Sequence, residues 1–169
     1  MLKRLGVYSL GLLRNRALAA GLRGLGWRVV FGPTSGRLDA IAVWGASRVA
    51  ERGVRAAMRR GCPVLYLEDA PFRSVTSGRH EPLMGLCLDT QAPFFDATRP
   101  TDLEALLNAP DSLSDHDLAR AADLLELIGR SGLSKYNPAR VVEPLLPEPF
   151  VLVADQLPGD ASIETGMAD

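Results

Sequence analysis

Five short segments of this chain, at 5–9, 28–31, 40–44, 63–67 and 150–155, are almost wholly apolar, rich in Val, Ile, Leu and aromatic residues and bounded by Gly, Pro or Asp. Uninterrupted apolar runs of this length read as strands covered on both faces. Between them the apolar positions change to a helical spacing, most clearly over 47–60. There Val49, Ala50, Val54, Ala57 and Met58 form one stripe, Ser47 can cap the start and Gly61 can end it. Strand alternating with helix predicts an α/β fold with a doubly wound, mainly parallel sheet.

The middle of the chain is less regular, because Pro71, Pro82 and Pro93 interrupt it. It offers a strand at 83–88 and a shorter one around Phe94 and Phe95. Two helices are expected next. One begins with a capping box of Thr101 and Glu104 ahead of Leu103, Leu106 and Leu107; the other starts at Ser114, carries Leu118, Ala122, Leu125 and Ile128 on one face, and stops at Gly132. Both should cover the sheet. At the end, the strand at 150–155, a turn at 156–160 and a helix from Ala161 to Gly166 form a strand-loop-helix unit. The expected division is therefore one domain over 1–149 and, over 150–169, the beginning of a unit that leads to a second half.

With 169 residues and 47% hydrophobic content, the chain suits one α/β core rather than two nucleotide-binding domains. The 19 Lys and Arg nearly balance the 20 Asp and Glu, so overall charge offers no case for general nucleic-acid binding. Cys62 and Cys87 sit in apolar surroundings that suit buried thiols better than a bridge, as in a reducing compartment. No apolar run approaches the length of a signal core or a membrane span, which points to a cytoplasmic protein. His80 and His116 lack metal-ligand spacing, so no metal or cofactor is expected. Gly21, Gly24 and Gly26 precede a strand instead of following one; they are a helix ending and not a dinucleotide fingerprint.

In open parallel sheets, ligands bind beyond the carboxyl ends of the strands. Two such places carry polar side chains. After the strand at 63–67 come Glu68, Asp69, Arg73 and Ser74; after that at 150–155 come Asp155, Gln156 and the turn with Gly159, Asp160 and Ser162. Carboxylates at two strand ends can serve glycosyl transfer, one as nucleophile and one handling the acceptor proton, although acidic residues at strand ends cap helices or solvate loops in most α/β proteins. Arg73 can grip a carboxylate or phosphate bidentately, or pair with Asp69. Lys135, Tyr136 and Asn137 form a polar cluster that a helix-ending turn also accounts for.

Five features in order resemble the retaining β-Kdo transferases of bacterial capsule polysaccharide biosynthesis. They are Gly6, Tyr8 and Ser9; the run Asp-Ala-Ile-Ala-Val-Trp-Gly at 39–45; Leu67, Glu68 and Asp69 with Arg73 and Ser74; the stretch 89–96 with Ala97; and Leu-Ser-Lys-Tyr-Asn at 133–137, followed by 153–156 and 159–162. The chain departs from that pattern at Ala70 and Pro71, at Thr90, and at Ala92 and Pro93. The resemblance implies the N-terminal Rossmann-like half of a GT-B-like module, using CMP-Kdo as donor without a metal. The acceptor would be lipid-linked, the product would serve capsule export, and the protein would sit peripherally at the inner face of the cytoplasmic membrane. It also implies Asp160 as the nucleophile, Glu68 or Asp69 as the acceptor-activating acid, and Arg73, Ser74, Lys135, Asn137, Asp155, Gln156 and Ser162 as substrate-binding residues. Two other readings stay open: a truncated, non-catalytic acceptor-binding module, and an unrelated small nucleotide-binding domain.

Overall fold

The computed structural model describes residues 1–34, 36–78, 81–109, 113–138, 149–154 and 156–166. Its centre is a five-stranded sheet of β1 (Lys3–Val7), β2 (Trp27–Phe31), β3 (Ala40–Trp44), β4 (Val64–Asp69) and β5 (Leu86–Asp89), in the order β2-β1-β3-β4-β5. The first four strands run parallel; β5 pairs antiparallel with β4. Helices α1 (Leu10–Arg14) and α2 (Arg16–Gly24) link β1 to β2, and α3 (Arg48–Arg60) links β3 to β4. Further along lie α4 (Asp102–Leu107), α5 (Asp115–Ser131) and α6 (Ala161–Thr165). Among the described residues, no helix is long and apolar enough to cross a membrane.

Alternation along the strands divides the core in two. Leu5, Val7, Ala40, Ala42, Leu65 and Leu67 face Leu18 and Leu22 of α2, whereas Ile41, Val43 and Tyr66 face Ala50, Ala56 and Ala57 of α3. Fully buried side chains such as Leu5, Ile41 and Leu67 each contribute about 2 kcal/mol of apolar transfer. Helix α3 packs close because Gly53 faces the sheet: a Cβ there would come 2.5 Å from Val43 Cγ1. Ser47 caps α3 by accepting the Ala50 N–H at 3.3 Å, and Gly61 ends it in the left-handed region at φ 60°. Gly132 ends α5 in the same way.

The doubly wound, mainly parallel α/β architecture is as expected, and the helix at 47–60 and the strand at 40–44 stand where their patterns place them. Four local expectations need correction. Residues 150–154 form no strand and are exposed, with Val151, Leu152 and Val153 each more than 80% accessible. The strand expected at 83–88 begins only at Leu86 and runs antiparallel, because the segment from Ala70 onward first turns back across the sheet end. Phe94 and Phe95 lie in a turn. Finally, α4 and α5 do not cover the sheet: neither contains a buried residue, and Leu106, Leu107, Leu118 and Leu125 are all more than half exposed.

Candidate functional site

Strand order reverses between β1 and β3, since the chain leaves β1 toward β2 on one side and continues from β3 toward β4 on the other. Such a switch point leaves a crevice where successive loops diverge. A crevice of about 1260 Å³ opens there. Its floor is Tyr8 and Ser9 after β1, and Trp44, Gly45, Ala46, Ser47 and Arg48, from the last residue of β3 to the first of α3. Glu68 enters from β4, Phe94 and Phe95 from the loop after β5, Lys135 from the segment after α5, and Gln156, Gly159, Asp160 and Ser162 from the turn into α6.

Ser9, expected to end the first strand, instead caps α1 and accepts the Leu12 N–H at 3.5 Å. Phe94 and Phe95 meet edge to face with ring centroids 5.8 Å apart. Their turn is held by Asp89, which is buried and accepts N–H bonds from Gln91 (2.8 Å), Ala92 (3.0 Å) and Asp102 (2.8 Å). Thr90, one of the departures from the family pattern, is itself engaged, donating from its N–H and hydroxyl to Asp102 at 2.6 and 2.7 Å. The Ala97 N–H donates to the Thr165 carbonyl at 3.0 Å and so ties this turn to α6.

Glu68 and Asp160, two of the four acidic residues that line the crevice, differ in environment. Burial pushes the Glu68 carboxyl above its ordinary range; the Asp69 N–H donating to Oε2 at 3.2 Å opposes this, the charges of Asp69 and Asp160 add to it, and Lys135 offsets part. Asp160 is held below its ordinary range, mainly by the Ser162 N–H (2.9 Å) and hydroxyl (2.7 Å), with help from Lys135. Both bonds fall on Oδ1. Carboxyls with oppositely displaced proton affinities, facing one cavity, suit a division into proton carrier and anion. Cys87 stands opposite Glu68 in the β4–β5 register. Its thiol is pushed up by burial and by the charges of Glu68 and Asp69, which keeps it protonated and poorly nucleophilic.

Of the residues singled out in the sequence, Glu68, Lys135, Gln156, Asp160 and Ser162 converge on this crevice. Asp69 and Arg73 line a neighbouring hollow of about 1060 Å³, which shares Ser9, Leu12 and Trp44 with it. Arg73 is buried, donating from Nε to Asp69 at 3.3 Å and from Nη1 to Ser74 Oγ at 2.9 Å. Ser74 is fully buried and donates to the Thr76 carbonyl at 2.6 Å. Asn137 closes a turn on Ser134, accepting its N–H and donating to its carbonyl, both at 2.8 Å. The N–H groups of Arg73 and Ser74 donate to the Lys135 carbonyl, so this packed segment is what carries Lys135 to the crevice. Asp155 lies outside the described residues. Sequence reasoning had not assigned site roles to Tyr8, Trp44, Ser47, Arg48, Phe94 or Phe95; for all but the two Phe, position just beyond a strand end was the available signal.

No family model matches the chain. Over 139 residues, 78% of its length, it is 32% identical to the capsule polysaccharide modification protein LipA of Neisseria meningitidis serogroup B, covering 20% of that protein. Over 137 residues it is 34% identical to the lipopolysaccharide-processing protein LpsZ of Rhizobium meliloti, covering 31% of it. The solved structure of Thermosulfurimonas dismutans KpsC, a β-Kdo 2,4 transferase, matches 100% of this chain and 53% of its own, with a TM-score of 0.83 and 32% identity. A second structure, the KpsC β-Kdo 2,7 transferase, matches in fold with a TM-score of 0.65 at 23% identity. The chain thus spans between a fifth and about half of the length of these relatives. Its five-stranded sheet matches the fold of KpsC, and by sequence and fold together the chain is similar to the capsule polysaccharide protein LipA and the Kdo transferase KpsC.

Proposed function

We propose that this chain forms the acceptor-side half of a retaining glycosyltransferase that moves Kdo from CMP-Kdo to a lipid-linked acceptor, completed by a second Rossmann-like half. The observation that carries this reading is the pairing of Glu68 and Asp160 across the switch-point crevice with opposite shifts in proton affinity. Asp160 is ionised at neutral pH and its Oδ1 is oriented by Ser162, leaving Oδ2 to attack the anomeric carbon of Kdo. The carbon–oxygen bond to the phosphate breaks as the carboxylate ester forms, and CMP departs with the bonding electrons. The acceptor hydroxyl then displaces Asp160 from the same carbon and passes its proton to Glu68, so two inversions give net retention. Glu68 is preferred over Asp69 for that role because Arg73 holds Asp69 in the neighbouring hollow. Lys135 supplies positive charge for a carboxylate or phosphate, Gln156 and Ser162 supply hydrogen bonds, and Trp44, Phe94 and Phe95 offer faces on which sugar rings can pack.

The test is Asp160→Asn in the protein carrying both halves, assayed with CMP-Kdo and a Kdo-bearing lipid acceptor. Transfer should fall by at least about 10³-fold, as expected for a lost nucleophile. Incubation of the unaltered protein with CMP-Kdo alone should leave a Kdo adduct on Asp160 detectable by mass spectrometry. Undiminished transfer by the variant would overturn the assignment. Acceptor binding without any turnover by the unaltered protein would favour a non-catalytic acceptor-binding module instead.

A further inference from the structure

Overall near-neutrality conceals a steep division of charge. Residues 1–60 hold 12 of the 19 Lys and Arg but only 2 of the 20 Asp and Glu, leaving 7 and 18 for the remainder. The densest part of the basic region is α3. At 100° per residue, Arg48, Arg52, Arg55 and Arg59 fall within about 60° of one another and make a straight row about 16 Å long. The row lies opposite the face that Ala50, Gly53, Ala56 and Ala57 bury against the sheet, and all four arginines are exposed. Arg55 shares its charge with Glu51 at 3.4 Å, a pair more than half exposed on both sides. Arg48, Arg52 and Arg59 have no ion-pair partner among the described residues. Two exposed apolar side chains flank the row, Val49 at 39% and Met58 at 77% accessibility.

We propose that the α3 face docks the protein on an anionic lipid bilayer. A row of guanidinium groups edged by apolar side chains fits the boundary of headgroups and acyl chains, where cations meet lipid phosphates and Met and Val enter the hydrocarbon edge. A polynucleotide would make no use of those apolar flanks. Repulsion of the acidic remainder gives the docking one orientation. Arg48 belongs both to the row and to the crevice rim, so a bilayer bound along α3 lies against the mouth of the crevice, and a lipid-borne substrate can enter from the side. Vesicle binding needs no transfer chemistry, so this surface and the catalytic reading can fail independently.

The experiment is flotation of the protein with phosphatidylglycerol-containing vesicles and with pure phosphatidylcholine vesicles. Binding should require the anionic lipid and weaken as salt is raised past the range where the screening length drops below about 10 Å. The triple variant Arg52→Gln/Arg55→Gln/Arg59→Gln should lose roughly 100-fold in partitioning, at about fivefold for each arginine. It should melt with the unaltered protein, since all three side chains are exposed. The control Arg16→Gln/Arg23→Gln removes charge from α2, on the opposite face of the sheet, and should change binding little. Equal loss in both variants, undiminished binding by the triple variant, or equal binding to uncharged vesicles would overturn the proposal. So would absence of vesicle binding together with a self-association that the triple variant abolishes, which would give the arginine row to the acidic surface of a second copy.

Discussion

A Cβ placed on Gly45 would stand 2.7 Å from Oε1 of Glu68. Gly45 also has φ 58°, a left-handed conformation that costs other residues roughly 1–2 kcal/mol. The missing side chain of Gly45 therefore leaves room for the half-buried Glu68 carboxylate, and Gly45→Ala must displace that carboxylate as well as strain the backbone. The melting temperature should drop by about 2–8 °C, from that cost and the usual shift per kcal/mol for a chain of this size. Transfer should suffer more than stability does, which a comparison of the melt with kcat separates.

Glu68→Gln tests the raised proton affinity directly. A carboxyl whose affinity is raised in the fold stabilises the protein fully below its unfolded pKa of about 4.5, and that contribution is lost as pH rises through the folded value. The unaltered protein should therefore lose stability relative to Glu68→Gln as pH climbs from 4 through and above the ordinary carboxylate range. Urea melts across that range check the sign: a gap between the two proteins that is flat with pH refutes it. In the protein with both halves, the same variant should remove the acidic limb of the rate profile.

Arg73→Leu should act on the fold and not on the sugar. It leaves Asp69 in place with only a fifth of its side chain exposed and breaks the bond to buried Ser74. A loss of about 3 kcal/mol is expected, the usual result of removing one member of a largely buried pair. Asp69→Asn combined with Arg73→Leu should recover part of it, and a denaturant double-mutant cycle measures how much.

Asp89→Ala removes the acceptor for three N–H groups that hold together the end of β5, the aromatic turn and the start of α4. About 2–4 kcal/mol should be lost, at roughly 1 kcal/mol for each bond with an added cost for buried donors left unpaired. Hydrogen exchange at the Ala92 and Asp102 amides should accelerate well before the β1 and β3 amides respond.

The parts of the fold that were legible in the sequence are those whose partners lie nearby in the chain. The segment Ala40–Trp44 is apolar throughout because it is central and covered on both faces, and α3 carries its own Ser47 cap and Gly61 stop. The stretch from Phe150 to Val153 has the same composition, yet no strand of the described sheet pairs with it; apolar character reports an appetite for burial without saying where. The stripe on α5 misled in the same way, since amphipathicity shows that a helix face wants cover and leaves the cover unnamed. For the crevice, strand-end position pointed to Glu68 and the family resemblance to Asp160, and both line it. Arg73 and Asn137 were attractive as polar residues, but their hydrogen-bonding groups are engaged by neighbours within the fold, a fact of tertiary packing that residue type does not carry.

The crevice is assembled from two kinds of material. Its floor belongs to β1, β3 and β4, where Leu5, Val7, Ile41 and Leu67 are sealed from water. Its roof, with Lys135, Gln156 and Asp160, hangs from loops joined to the rest by such bonds as Ala97 to Thr165 and Arg73 to Lys135. Hydrogen bonds of that kind can open without the sheet melting, so the roof should exchange its amides through subglobal excursions of far lower free energy than global unfolding. If the proposed transfer takes place here, admitting a bulky donor and then excluding water would gain from such a two-tier landscape, in which Asp160 can be withdrawn and restored while the scaffold that orients Glu68 stays intact.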